Sequence, residues 1–384
     1  MAAGAAADAG ERMKSRVRLL GPAENGRTKD LYQRIFTEDS REFTEYYYHY
    51  KTRENRIYAV EAETGEILSM LHLNPYLMKL GARECFGEYV VAVATEETHR
   101  HRGLMRSLLK MSLEDMRRMG EPLAFLMPAA EAIYRPFGFR FVYSQRMGEM
   151  RTEEFAGKPH LTCRAAEKAD LESLAEFANG YLQRHFRTFA FHTAEYFETL
   201  LAEQRCQQGE VVLLLEREKI RGYFFTAFDE GAEVREPVAE EGYEEFLLPS
   251  IAEYLRDYEK IRFCGIPGWM PKMQQEKPLI MARIINPEWF AAGLTAKRTV
   301  ELVFELTDEL LPENSGIYRF SADESGGRMK KCTDSRAEFA ISIGDFTALA
   351  FGSLSWQAAG LPEKQAEIWE SVNTCAPVFL NEVV

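Results

Sequence analysis

Val90-Val91-Ala92-Val93-Ala94-Thr95, followed by Thr98-His99-Arg100-His101-Arg102-Gly103-Leu104-Met105, is the stretch whose reading decides the fold. The β-branched apolar run reads as a buried strand and the polar residues after it as a turn. Gly103 then opens a helix that carries Leu104, Met105, Leu108, Leu109, Leu113 and Met116 on one face and ends at Gly120. Strand, glycine turn and helix in that order leave the first N–H groups of the helix unpaired at the positive end of its dipole, where a phosphate ligand can satisfy them. Arg100 and Arg102 add cationic side chains to the turn, and Gly103 lets a ligand approach the backbone closely.

Upstream of this stretch, apolar and aromatic residues recur at helical spacing over 28–51, and alternating runs at 56–61 and 67–73 flank a Thr64-Gly65 hairpin signal. The strand before the turn spans 85–95. Downstream, 123–127 reads as a buried strand closed by Pro128, and a short helix at 129–135 with a strand at 139–143 completes a mixed α/β unit by about residue 150. A second unit, 151–278, shows helices at 170–182 and 194–203, a hairpin formed by 211–216 and 220–228, an acidic segment at 229–245, a helix to Lys260 and a strand at 261–265. Its order loosely echoes the first unit but has no Arg-x-x-Gly turn. Residues 266–278, rich in proline around Trp269, read as a linker. The third unit, 279–384, shows strands at 300–306, 316–320 and 339–343 and helices after Asp345, a suitable N-cap, and Pro362.

A chain of 384 residues accommodates two or three domains, and 46% hydrophobic with 28% charged residues is a globular composition. A net charge of −13 argues against a nucleic-acid partner and favours cationic small molecules or peptides bound near acidic clefts. No apolar run approaches the roughly 18 residues of a bilayer span, so no membrane association is expected. The opening 1–14 lacks the basic and bulky apolar regions of a signal peptide and reads as a frayed terminus, which makes the expected location cytoplasmic. Six cysteines lie far apart with no CxxC pair, so neither disulfides nor zinc are expected. His99 and His101, two apart in a turn without a third ligand, are poor metal chemistry, and His185 and His192 read as packed or surface side chains.

These residues resemble those of the GCN5-related N-acetyltransferase (GNAT) family, whose signature is Arg/Gln-x-x-Gly-x-Gly/Ala at the end of the fourth strand. Arg100-His101-Arg102-Gly103 matches its first four positions, and Met105 replaces the final small residue, as in the branch of the "enhanced intracellular survival" (Eis) type. Residues 129–139, with Glu131, Ile133-Tyr134 and Phe137-Gly138-Phe139, resemble that branch's Ser-Glu-x-x-Ile-Tyr-x-x-Phe-Gly-Tyr segment, and the apolar end Val378–Val384 suits burial. The resemblance implies tandem GNAT folds of mixed α/β (α+β) class, the second degenerate, followed by a sterol-carrier-like domain. It implies acetyl-CoA as co-substrate, with main-chain groups of Val93 and Thr95 on the pantetheine arm and Arg100, His101, Gly103 and Leu104 on the pyrophosphate. It also implies Tyr134 as general acid and the α-carboxylate of Val384 as base, with Glu88 or water as the alternatives. Phe36, Phe86, Glu88 and Glu382 are candidates for the acceptor pocket.

The chemistry asks for such groups: an alkylammonium is almost wholly protonated at neutral pH and needs a carboxylate to strip it, and the departing thiolate needs a proton. The expected reaction is direct transfer to a primary amine of a cationic, aminoglycoside-like molecule. A peptide or lysine acceptor and a non-catalytic acyl-CoA- or lipid-binding regulator are the rivals. The resemblance further implies a homo-oligomer, with hexamers common in this branch.

Overall fold

The computed structural model describes residues 15–228, 231–265, 268, 270, 275–333 and 336–382. The first unit runs β1 (Ser15–Leu19), α1 (Lys29–Ile35), α2 (Arg41–Tyr50), β2 (Arg56–Ala62), β3 (Ile67–Leu80), β4 (Arg83–Thr95), α3 (Leu104–Met119), β5 (Leu123–Leu126), α4 (Glu131–Tyr134) and β6 (Arg140–Arg151). The helical spacing over 28–51 belongs to two helices, because α1 stops at Phe36 and Ser40 caps α2 by accepting from the Phe43 amide. α3 buries Leu108, Leu109, Leu113 and Met116 completely, each contributing about 1.5–3 kcal/mol against exposure. Gly120 ends it in the left-handed conformation that glycine adopts without strain.

The second unit repeats the plan: β7 (Thr162–Ala165), α5 (Leu171–His185), β8 (Thr188–Ala190), α6 (Ala194–Cys206), β9 (Val211–Glu216), β10 (Lys219–Ala227), β11 (Ala232–Ala239), α7 (Glu244–Tyr254) and β12 (Lys260–Cys264). With β8 set aside, its elements match β1 to β5 and α1 to α3 in order, and its strands pair β12-β11-β10-β9-β7 as the first unit's pair β5-β4-β3-β2-β1. A further strand, β13 (Gln275–Ile284), lies antiparallel between β5 and β6 and fuses both units into one sheet.

Two expectations are corrected here. The acidic segment at 229–245 contains β11, a strand whose Glu233 and Glu236 are buried, the first paired with Arg235 and Arg262 and the second pushed up to about 8 by burial. The linker expected at 266–278 contains the first part of β13, and the boundary expected at 278/279 falls inside that strand.

The third unit comprises α8 (Pro287–Ala291), β14 (Thr295–Ala296), β15 (Val300–Thr307), β16 (Gly316–Asp323), β17 (Gly326–Lys331), β18 (Phe339–Ser342), α9 (Ile343–Ala350), α10 (Glu363–Trp369), β19 (Val372–Asn373) and β20 (Val378–Phe379). Its small sheet runs β17-β16-β15-β18, and α9 is capped by Ser342 instead of the expected Asp345, which sits in the first turn and bonds that cap. After β19 the chain leaves this unit, and β20 pairs with β8, which in turn pairs with the end of β3. The tail is thereby delivered to the junction of the first two units.

Candidate functional site

β4 carries a one-residue bulge opposite Leu71, where Ala92 takes φ +49°. Its parallel partnership with β5 covers only Glu88 and Tyr89, so from Val90 to Thr95 the β4 edge has no β5 partner and a cleft opens between the strands. Chain polarity leads this free edge to the turn. There His101 has φ +62°, and Gly103, with φ +77°, has no atom within 4 Å of where a side chain would begin. Gly103 is the N-cap of α3 and supplies no side-chain cap, leaving the helix amides to a ligand. Arg100, His101 and Gly103 are exposed, Leu104 and Val93 half-buried; Arg100 and Arg102 rest on the carbonyls of Thr95 and Thr98 at 3.4 and 3.1 Å. Thr95 is tied to Ser69 at 2.7 Å. An unpaired strand edge leading to an open, cationic, amide-rich turn fits the arm and pyrophosphate of acetyl-CoA.

Tyr134 ends the short helix α4 and packs edge-on against Phe139. Burial pushes its phenol up to about 12, so it is protonated and able to donate, and its hydroxyl has no hydrogen-bond partner among the described residues. A cavity of about 580 Å³ opens between the first and second units. Phe86 of β4, Tyr76 of β3, Lys51 after α2, Glu203 of α6, Glu236 of β11 and Glu382 of the tail line it.

The carboxylates of this cavity are unusual. Glu382 is buried, one of its oxygens has no hydrogen-bond partner among the described residues, and burial pushes it up to about 7 against the pull of the Glu382 and Asn381 backbone amides and Lys51. Burial pushes Glu236 up to about 8, although the Tyr223 hydroxyl donates to it at 2.6 Å. His192 faces Glu236 at 3.5 Å and is held by burial at about 3, hence neutral. Glu203 accepts the Tyr46 hydroxyl at 2.8 Å.

Of the expected acceptor residues, Phe86, 59% exposed, and Glu382 line this cavity. Phe36 lies elsewhere, against Tyr32 at the end of α1. Glu88 also lies elsewhere: it is buried and receives Arg56 at 2.7 Å beside Glu121, and burial pushes it up to about 7. Val384 lies outside the described residues. Lys51, Glu203 and Glu236 were not singled out from sequence. Glu236 was hidden because its strand was read only as an acidic segment, and the other two because nothing local distinguishes them from solvated charges.

The acetyltransferase (GNAT) domain family matches residues 16–142, and the sterol carrier protein domain family matches residues 288–364. An uncharacterized N-acetyltransferase of Streptomyces coelicolor is 24% identical over 310 residues, 73% of this chain and 74% of that protein. One of Streptomyces avermitilis is 21% identical over 316 residues, 73% and 75% of the two chains. Among solved structures, a GCN5-related N-acetyltransferase from Kribbella flavida superposes with a TM-score of 0.80 at 16% identity, covering 97% of this chain and 99% of that one. Eis1 from Mycobacterium abscessus gives 0.66 at 17% identity over 95% and 94%, a likeness of fold. The chain thus carries an acetyltransferase (GNAT) domain at residues 16–142 and a sterol carrier protein domain at residues 288–364.

Proposed function

We propose that the protein transfers the acetyl group of acetyl-CoA directly to a primary amine of a cationic small molecule held in the cavity between the first two units. The observation that carries this reading is that β4 lines an acid-rich cavity at Phe86 and, from Val90 onward, runs free of β5 to an open helix N-terminus. Backbone groups of Val93 and Thr95 take the arm, and Arg100, His101, Gly103 and Leu104 take the pyrophosphate. The thioester supplies an activated acyl carbon.

The chain's residues do the rest. Carboxylates of the cavity concentrate and orient the ammonium, and the aromatic face of Phe86 covers it. The amine must lose a proton before attack, and we assign that proton to a carboxylate of the tail, of which Glu382 is the described member; Val384 stays with this proposal through the same tail. Glu88 is a poorer base because Arg56 already holds it. Tyr134 donates its phenolic proton to the departing thiolate. Main-chain N–H groups on the free β4 edge are suited to stabilise the oxyanion. Thiol release from acetyl-CoA, measured against a panel of aminoglycosides, polyamines and lysine peptides, tests the reading. Release that no amine accelerates above the rate in buffer would overturn it.

A further inference from the structure

Lys51 is out of keeping with the other lysines of this chain. Lys29, Lys168 and Lys260 all reach solvent, and each closes on a carboxylate at 2.7, 2.8 and 2.9 Å. Lys51, whose side chain is only 14% exposed, approaches Glu203 no closer than 3.8 Å, and that carboxylate already accepts the Tyr46 hydroxyl at 2.8 Å. Among the described residues its one hydrogen bond is to the Tyr76 hydroxyl, at 3.4 Å. An ammonium has three donors, and burying it costs free energy unless they are used. The chain does close buried pairs elsewhere: Arg283 and Asp308, both fully buried, meet at 2.6 Å. Burial draws Lys51 down, but Tyr76 and Glu203 outweigh it, so the group stays an ammonium. It lines the same cavity as Glu382.

We propose that Lys51 is an oxyanion anchor of the acceptor cavity, so that the acceptor is a cationic amino-acid-like molecule carrying a carboxylate as well as its primary amine. This rests on the acetyl-transfer reading above and narrows its substrate class. A simple polycation would place an ammonium against a buried, incompletely neutralised one. A carboxylate there fills the spare donors at charge-assisted hydrogen-bond distance, while the amine lies among the cavity's carboxylates.

The test compares acceptors that differ only in that carboxylate: L-lysine with 1,5-diaminopentane, L-ornithine with 1,4-diaminobutane, and L-phenylalanine with phenethylamine. In each pair that is turned over, kcat/KM is expected to favour the amino acid by about 10-fold or more, the worth of one hydrogen bond to a charged group. Lys51→Met, which keeps the length of the side chain, should collapse that ratio toward one, and Lys51→Arg should retain the preference. A wild-type ratio at or below one overturns the proposal and leaves acetyl transfer standing. Equal losses on both members of a pair in Lys51→Met also overturn it, because Lys51 would then serve the tail or the fold. No turnover of any amino acid in these pairs overturns the proposal, while acetyl transfer itself stands or falls with the wider thiol-release panel.

Discussion

The first and second units carry the same β-bulge in the same strand, and they differ in what was built around it. Ala92 of β4 and Glu236 of β11 both take φ +49° one residue past the last regular pair, Val91 with His72 and Arg235 with Phe225. In the first unit, parallel pairing with the next strand stops at Tyr89, well before the bulge. In the second, pairing of β11 with β12 continues through Arg235, up to the bulge itself, and only Glu236–Ala239 run on without a β12 partner. The helix that follows differs too. α3 begins at an open glycine flanked by Arg100 and Arg102, whereas α7 follows Glu240-Glu241-Gly242 and has Pro249 within it. A bulge bends a strand, but only strand separation plus a cationic, uncapped helix start makes a place for a nucleotide. The second unit instead turns its bulge residue, Glu236, toward the acceptor cavity.

The largest effect expected of any single change is on the first unit's phenol. Tyr134→Phe should lower kcat by about 10²- to 10⁴-fold while calorimetry finds acetyl-CoA affinity unchanged. Wild-type turnover in that variant would reduce Tyr134 to a packed aromatic. Next is the tail carboxylate, for which a rise in kcat/KM through about pH 7 is expected as Glu382 loses its proton and becomes able to take one from the ammonium. Glu382→Gln should lower activity and flatten that limb, and Glu88→Gln should retain more activity than Glu382→Gln.

The two helix starts are compared by a matched pair of substitutions. Gly103→Asp puts a negative charge where the pyrophosphate is proposed to sit and should weaken acetyl-CoA binding by about 10-fold or more. Gly242→Asp, at a similarly open left-handed glycine just before α7, should leave that affinity unchanged. Equal losses would erase the distinction between the units.

The smallest effect is on stability. Glu236 sits at about 8 in the fold, above the ordinary carboxylate value, so the native state holds its proton more tightly than the unfolded chain does. That contribution is complete below about pH 4.5 and fades as pH rises toward 8. The melting temperature of Glu236→Gln relative to wild type should therefore increase by a few degrees between pH 5 and pH 8. A difference independent of pH would show that Glu236 is ionised throughout.

Much of this was legible in the chain itself. The Val90–Thr95 run, the turn at Arg100–Gly103 and the amphipathic helix to Gly120 are local signals, because backbone pairing, helix dipoles and apolar periodicity act over neighbouring residues. They mark the proposed cofactor half of the site, whereas Tyr134 as a candidate acid and the tandem order of units were implied by the resemblance to the GNAT family. The acceptor half was not legible, since it is assembled from α2, β3, α6, β11 and the tail, which lie far apart in sequence. Lys51, Glu203 and Glu236 look like ordinary solvated charges until the fold buries them together, and Glu88 looks like a free base until Arg56 is seen to hold it. Only the tertiary structure decided which charges lost their water, and desolvation is what separates a surface carboxylate from one able to exchange a proton near neutral pH.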